Sequence, residues 1–263
     1  MRNLVHTLML LSLSLSIFAQ DCYTEATQEN IRLDYCQLWY GRTFQGTIGD
    51  NNQRIEIRFI EISKDHESPF KYHVKGKSRV LNNVCDFDGY MIVEQIMILN
   101  ETKRDCHEPD LSGGIVYGRY QLNENPDQKH VGRFTGVFKS MFDKSPNGPI
   151  LNDTWFGQEE FNSFFGNWAN YDKSKPKYCS WGFQIPLSKN EDLFKHYNKA
   201  FYLFNFKYMD KGWKTYVLSN LNTFIKVPKN YKIDELRLAD DFIDYSSDEI
   251  DQAIKEEEMK WWE

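Results

Sequence analysis

The stretch "QRIEIRFIEI", from Gln53 to Ile62, constrains this chain more than any other. Ile55, Ile57 and Phe59 fall on one side of an extended backbone, with Arg54, Glu56 and Arg58 on the other. Strict alternation of this kind predicts a strand with one dry face and one wet face. It also sets the frame for its neighbours. "GDNN" precedes it with the composition of a tight turn, so "WYGRTFQGTI" and this strand form a hairpin. "FKYHVKGKSRVL", "DGYMIVEQIMILNE", "GGIVYGRYQLNE", "HVGRFTGVFKSMF" and "ILNDTWFGQ" follow, separated by segments rich in Asn, Asp, Pro or Gly.

Seven strands therefore lie between residues 37 and 160, with no long helical pattern between them. A parallel βαβ sheet is excluded on that ground. The expected fold is mainly β, an antiparallel meander closed or half-closed into a barrel, which removes exposed sheet edges. Residues 161–230 read as an aromatic-rich loop plus additional strands. In that part "EEFNSFFGNWANYDKSKPKY" is irregular, "CSWGFQIPL" and "AFYLFNFKYMD" have strand composition, Asp210-Lys211-Gly212 sits at a hairpin turn, and "NTFIKVP" adds a last short strand. Residues 231–263 form an acidic tail closed by a C-terminal α-helix. Ser246 and Glu249 make a capping box there, and Ile250, Ile254 and Trp261 form its apolar stripe.

The two ends of the chain carry the information on compartment and partners. Residues 1–20 have a basic start at Arg2, a short apolar run and Ala19-Gln20 at the exit, the layout of a cleaved signal peptide. The run is too short for a membrane span of about 20 residues, and no later segment is apolar enough. A secreted or periplasmic protein without a transmembrane segment is the expectation. Residues 21–36 are a polar lead-in. The net charge is −6, and the tail from Tyr231 carries twelve acidic and four basic residues, which leaves +2 on everything before it. That balance excludes nucleic acid as a partner, because phosphates call for a basic patch.

Five cysteines, Cys22, Cys36, Cys85, Cys106 and Cys179, follow the leader, and an oxidising compartment favours pairing them. Local pairing predicts disulfides Cys22–Cys36 and Cys85–Cys106, with Cys179 left over. No Cys-x-x-Cys or His-x-x-x-His spacing occurs, so no metal and no cofactor is expected.

Glycine followed by a basic residue recurs at Gly41-Arg42, Gly76-Lys77, Gly118-Arg119 and Gly132-Arg133. Two readings follow. The glycines bend strands, or Arg42, Lys77, Arg119 and Arg133 gather into a patch for an acidic ligand. Alternation sends glycine and its basic neighbour to opposite faces, which favours the bend. Trp39, Tyr40, Trp155, Trp168 and Trp181 are the aromatic candidates for lining a ligand site, or else they fill the core. No catalytic residue is expected: there is no Gly-x-Ser-x-Gly and no His-Glu-x-x-His. Adjacent Glu159 and Glu160 point apart on a strand, and only Glu94 or Glu124 from other strands offers a carboxylate partner.

The run from Trp39 to Gln158, with "GTIGDNNQRIEIRF", the "VKG" strand, "VGRFTGVF" and "NDTWFG", resembles secreted lipocalin-like β-barrel proteins of Gram-negative bacteria. The Ala-Gln exit of the leader is similar to signals of such bacteria. The resemblance implies binding or structure rather than catalysis and brings no site residues with it. Two functions are in play. One is a binding module holding a small apolar or carbohydrate ligand in a barrel mouth. The other is a structural or protein-interaction protein with a filled barrel. A carboxylate-based hydrolase ranks third. The interior decides between the first two.

Overall fold

The computed structural model describes residues 23–26, 30, 32–100, 113–152, 162–172, 175–186, 192–198, 201–220, 224–225 and 246–263. Ten strands make the main sheet: β1 (Tyr23–Glu25), β2 (Thr43–Ile48), β3 (Gln53–Lys64), β4 (Lys71–Val80), β5 (Asn83–Leu99), β6 (Gly113–Glu124), β7 (Gly132–Ser145), β8 (Gly148–Leu151), β9 (Asn162–Asn170) and β10 (Lys177–Gly182). β2 to β7 pair in chain order, all antiparallel. β9 then pairs with β7, β10 with β9, and β10 with β2. The pairing thus returns to its start, and eight strands form a ring of hydrogen bonds. β1 and β8 add to the edges of β5 and β7.

The hairpin between β2 and β3 forms as its sequence requires. Gly49 (φ 73°) and Asn52 (φ 48°) take the left-handed conformations of the turn. The first expected strand is shorter than the pattern suggested. Cys36–Leu38 form a 3₁₀ turn, Gly41 (φ 67°) turns the chain, and extension begins only at Thr43. The last of the seven is the four-residue β8, followed by residues outside the described set.

Two departures lie beyond residue 160. "NSFFGNWAN" is no loop but β9, which joins β7 to β10 and so completes the ring. Phe164 and Trp168 are buried two positions either side of Gly166, while Ser163, Phe165 and Asn167 occupy the alternate positions. Small and polar residues on both faces hide the period. The expected hairpin at Asp210-Lys211-Gly212 does not form either. Phe206–Lys211 is a 3₁₀ helix, Gly212 (φ 91°) reverses the chain, and a short helix α1 (Lys214–Ser219) follows. The fully buried Trp213 donates its indole N–H to the Asn52 carbonyl at 2.8 Å, so a tertiary anchor overrides the strand propensity of the aromatic run. β11 (Phe194–Asn198), β12 (Phe201–Phe204) and the two-residue β13 (Phe224–Ile225) make a separate small sheet.

The C-terminal helix α2 (Ser247–Glu258) starts at the predicted capping box, with both reciprocal hydrogen bonds between Ser246 and Glu249 present. Its contact face differs from the expected stripe. Ala253 is the buried residue, Ile254 is 36% exposed, and Trp261 lies past the end of the helix.

The interior of the ring is packed with aromatic side chains. Phe164 stacks on Trp181 (centroids 5.7 Å apart, planes at 12°) and on Phe138 (5.4 Å, 27°). Phe44, Phe59 and Tyr120 meet it edge-on or tilted. All are 3% exposed or less. Such offset and edge contacts are the favoured geometries of aromatic pairs. A second cluster of Ile185, Leu193, Phe204, Tyr208, Trp213 and Val217 belongs to the C-terminal part.

The expected disulfides are overturned. Cys36, Cys85 and Cys179 are free thiols, all buried, while Cys22 and Cys106 lie outside the described residues. Burial pushes the Cys36 thiol up to about 12, assisted by the hydrogen bond and charge of Asp34. Burial likewise takes Cys85 up to about 11, with the Glu124 charge adding to it, and raises Cys179 further. A thiol that does not ionise is a poor nucleophile for exchange, so these behave as small apolar core residues.

Candidate functional site

The predicted site residues do not converge. Trp39 is fully buried in the ring, donating its indole N–H to Ser140 Oγ at 2.8 Å with its ring against Tyr72 and Phe138. Trp168 and Trp181 are buried there as well. Tyr40 is exposed, and Trp155 lies outside the described residues. The basic candidates separate in the same way. The Arg42 guanidinium lies over the Phe183 ring at 5.4 Å, Arg119 pairs with Glu94 at 3.2 Å, and Arg133 donates to Asn123 at 2.8 Å. Gly76 and Gly118 face inward. A Cβ on Gly118 would lie 2.1 Å from the Ile92 carbonyl oxygen and 2.7 Å from the Phe138 ring, so close approach requires glycine there.

Of the carboxylates considered for hydrolysis, Glu94 is on the surface paired with Arg119, Glu124 is buried, and Glu159 and Glu160 lie outside the described residues. Glu124 is 4% exposed. Its Oε2 accepts from the Trp168 indole and the Gly132 amide, both at 2.8 Å, and its Oε1 accepts from the Ser78 hydroxyl. Burial raises its pKa despite these three donors. With Oε2 taken by two N–H groups, a proton on this carboxyl sits on Oε1 and is shared with Ser78. His73 makes the other pair of note, 2.7 Å from Asp65 at the surface. Its hydrogen bond, with those of the Ser68 and Glu67 amides, lowers Asp65 to about 2. The Asp65 contacts brace the turn between β3 and β4.

Among the described residues, the densest charged site is one the alternation pattern concealed. Arg54 and Glu56 stand on the predicted wet face of β3, yet they are only 4% and 5% exposed. α1, α2 and the segment after α2 cover that face. The Arg54 guanidinium grips Glu257 of α2 with two hydrogen bonds of 2.6 Å and also donates to Gln45 (2.9 Å) and Glu56 (3.3 Å). Glu56 in turn pairs with Arg79 of β4 at 2.5 Å, its register partner across the strands. Thr215 of α1 donates to Glu257. Tyr216 offers its ring to the Arg54 charge at 5.0 Å. Beyond α2, Trp261 lies under Arg79 (4.9 Å) and Trp262 under Arg58 (4.1 Å).

Electrostatics at this face follow from the pairing. Burial would lift the Glu257 carboxyl, but the hydrogen bond and charge of Arg54, with Thr215 and Arg79, outweigh it and hold the pKa below its ordinary value. Burial would likewise lower Arg54, and Glu257 and Glu56 reverse that. The packing is open despite the buried charges. A pocket of about 270 Å³ lies between Arg54, Arg79, Leu81, Lys214 and Met259, and a second of about 280 Å³ lies between Leu218, Gln252 and Ala253. Two features of the sequence could have signalled this site, though neither was read that way: opposite charges at alternate positions of β3, and a tryptophan pair after the acidic helix.

Comparison with known proteins adds no relative: no family model, no curated protein and no solved structure matches this chain.

Proposed function

We propose that this chain is an exported, non-catalytic interaction protein, with its ring of strands a packed barrel and its binding function on the outside. The observation that carries the reading is the aromatic filling of the ring. Phe44, Phe59, Tyr120, Phe164 and Trp181 occupy the space an apolar or carbohydrate ligand would need. A lipocalin-like mouth would show a concave lining with a few polar groups instead. Support also comes from the dispersal of the ionisable residues: Glu94 is committed to Arg119, and Glu124 is held by three neutral donors inside.

The test is uptake. The purified full chain is titrated with a fluorescent fatty-acid probe and with short oligosaccharides, reading the emission of the buried tryptophans. No saturable change is expected from either titration. Stoichiometric quenching that a non-fluorescent fatty acid reverses would mean the ring opens to ligand, and the packed reading would fail. Mass measurement of the exported protein checks the leader, with loss of residues 1–20 expected.

A further inference from the structure

We propose that the outer face of β3 and β4, with Arg54, Arg58 and Arg79, is a binding site for acidic, tryptophan-bearing peptide segments, and that residues 246–263 are its tethered competitor. The inference rests on the surface-acting reading above and names the partner chemistry of that surface.

Three observations support it. The first is that this face already holds such a segment. Glu257 takes the bidentate grip of Arg54, and Trp261 and Trp262 lie under Arg79 and Arg58. Arg54 and Arg58 of β3, with Arg79 of β4 level with Glu56 between them, meet a carboxylate and two aromatic faces. The second is that the segment is held as a ligand is held, and not as a core helix. α2 has its own capping box and buries only Ala253 of its apolar residues, while Ile254 and Met259 stay exposed. The third is the state of the interface, where an open pocket of about 270 Å³ lies between Arg54, Glu56 and Arg79 on one side and Glu256, Glu257 and Met259 on the other. The charges gain little net free energy from burial and serve orientation and specificity instead.

Being on the same chain, residues 246–263 compete intramolecularly with any free peptide. A free peptide therefore sees the face only when the tethered one is weakened. The probe is a fluorescein-labelled peptide with the sequence of residues 246–263, read by anisotropy. It is added to the full chain and to the full chain carrying Trp261→Ala and Trp262→Ala, while amide exchange of residues 247–258 is followed by mass spectrometry. The double variant is expected to exchange faster at these amides and to bind the peptide at least tenfold more tightly than the unaltered chain. Adding Arg58→Ala and Arg79→Ala should remove that gain, and a scrambled peptide should not bind. Glu257→Gln provides a second release variant should the first fold poorly.

Equal binding to released and unaltered chains, binding of the scrambled peptide, or no binding despite faster exchange would each overturn the proposal. So would unchanged exchange in both release variants. The two readings fail separately. Fatty-acid uptake by the ring sinks the packed reading, and a ring that takes up nothing together with a face that binds no peptide sinks only this one.

Discussion

Phe164 and Arg54 both lose nearly all contact with solvent, one inside the ring and the other on its outer wall, and their surroundings differ in every respect. Around Phe164 the partners are aromatic, the contacts are dispersive, and the rings of Trp181, Phe138 and Phe44 sit within 6 Å. Around Arg54 the partners are Glu257, Glu56 and Gln45, and pockets remain between the elements. The first environment gains stability with every buried ring. In the second, the cost of desolvating the charges opposes their Coulombic gain. The two regions differ in how much of the molecule depends on them.

The largest effect should come from the interior. Phe164→Ala removes the ring on which five aromatic neighbours meet and is expected to cost about 3–5 kcal/mol, lost cooperatively in urea unfolding. A cost below about 1 kcal/mol would mean the ring interior is loosely filled.

A smaller and more local effect is expected on the outer wall. Glu257→Ala leaves the Arg54 charge without its bidentate partner, and breaking a buried pair costs up to about 3–5 kcal/mol. Undocking of α2 caps that cost, because Arg54 then regains water. Amide exchange should therefore accelerate across residues 247–258 while the strands of the ring keep their protection. Matching acceleration in β9 and β10 would show that the two regions unfold together and would erase the distinction between them.

The smallest effect separates the two buried carboxyls by pH. Glu124 has its folded pKa raised above the ordinary 4.5, so its contribution is present below that value and is lost as pH rises through the folded pKa. Glu257 is shifted the other way. Its contribution is present above 4.5 and is lost as pH falls through the depressed pKa. Glutamine mimics the protonated acid: its oxygen accepts from Trp168 and Gly132, and its amide donates to Ser78. Glu124→Gln should thus match the parent chain in acid and become the more stable of the two as pH rises, seen as diverging urea midpoints. Midpoints that stay parallel from acid to alkaline pH would place the Glu124 proton elsewhere.

How much of this was legible in the sequence varies by element. β3, the turn at Gly49–Asn52 and the capping box at Ser246 were readable because each depends on residues a few positions apart. The pair of arginines at 54 and 58 was read as solvated because alternation reports which residues share a face, not what covers the face. The tryptophan candidates were visible as a composition. Trp168 was still impossible to assign to Glu124, since 44 residues separate the two.

By itself the sequence determined an antiparallel, mainly β chain with a capped terminal helix, because period, turn chemistry and capping act over distances of one to four residues. Only the tertiary structure decided that β9 and β10 close the pairing into a ring, that three thiols stay free, and that the charged side of β3 lies beneath α2. Each of those outcomes depends on which distant segment supplies the neighbour. A strand carries the same alternation whether water or a helix lies against it, and a cysteine carries the same thiol whether or not another reaches it.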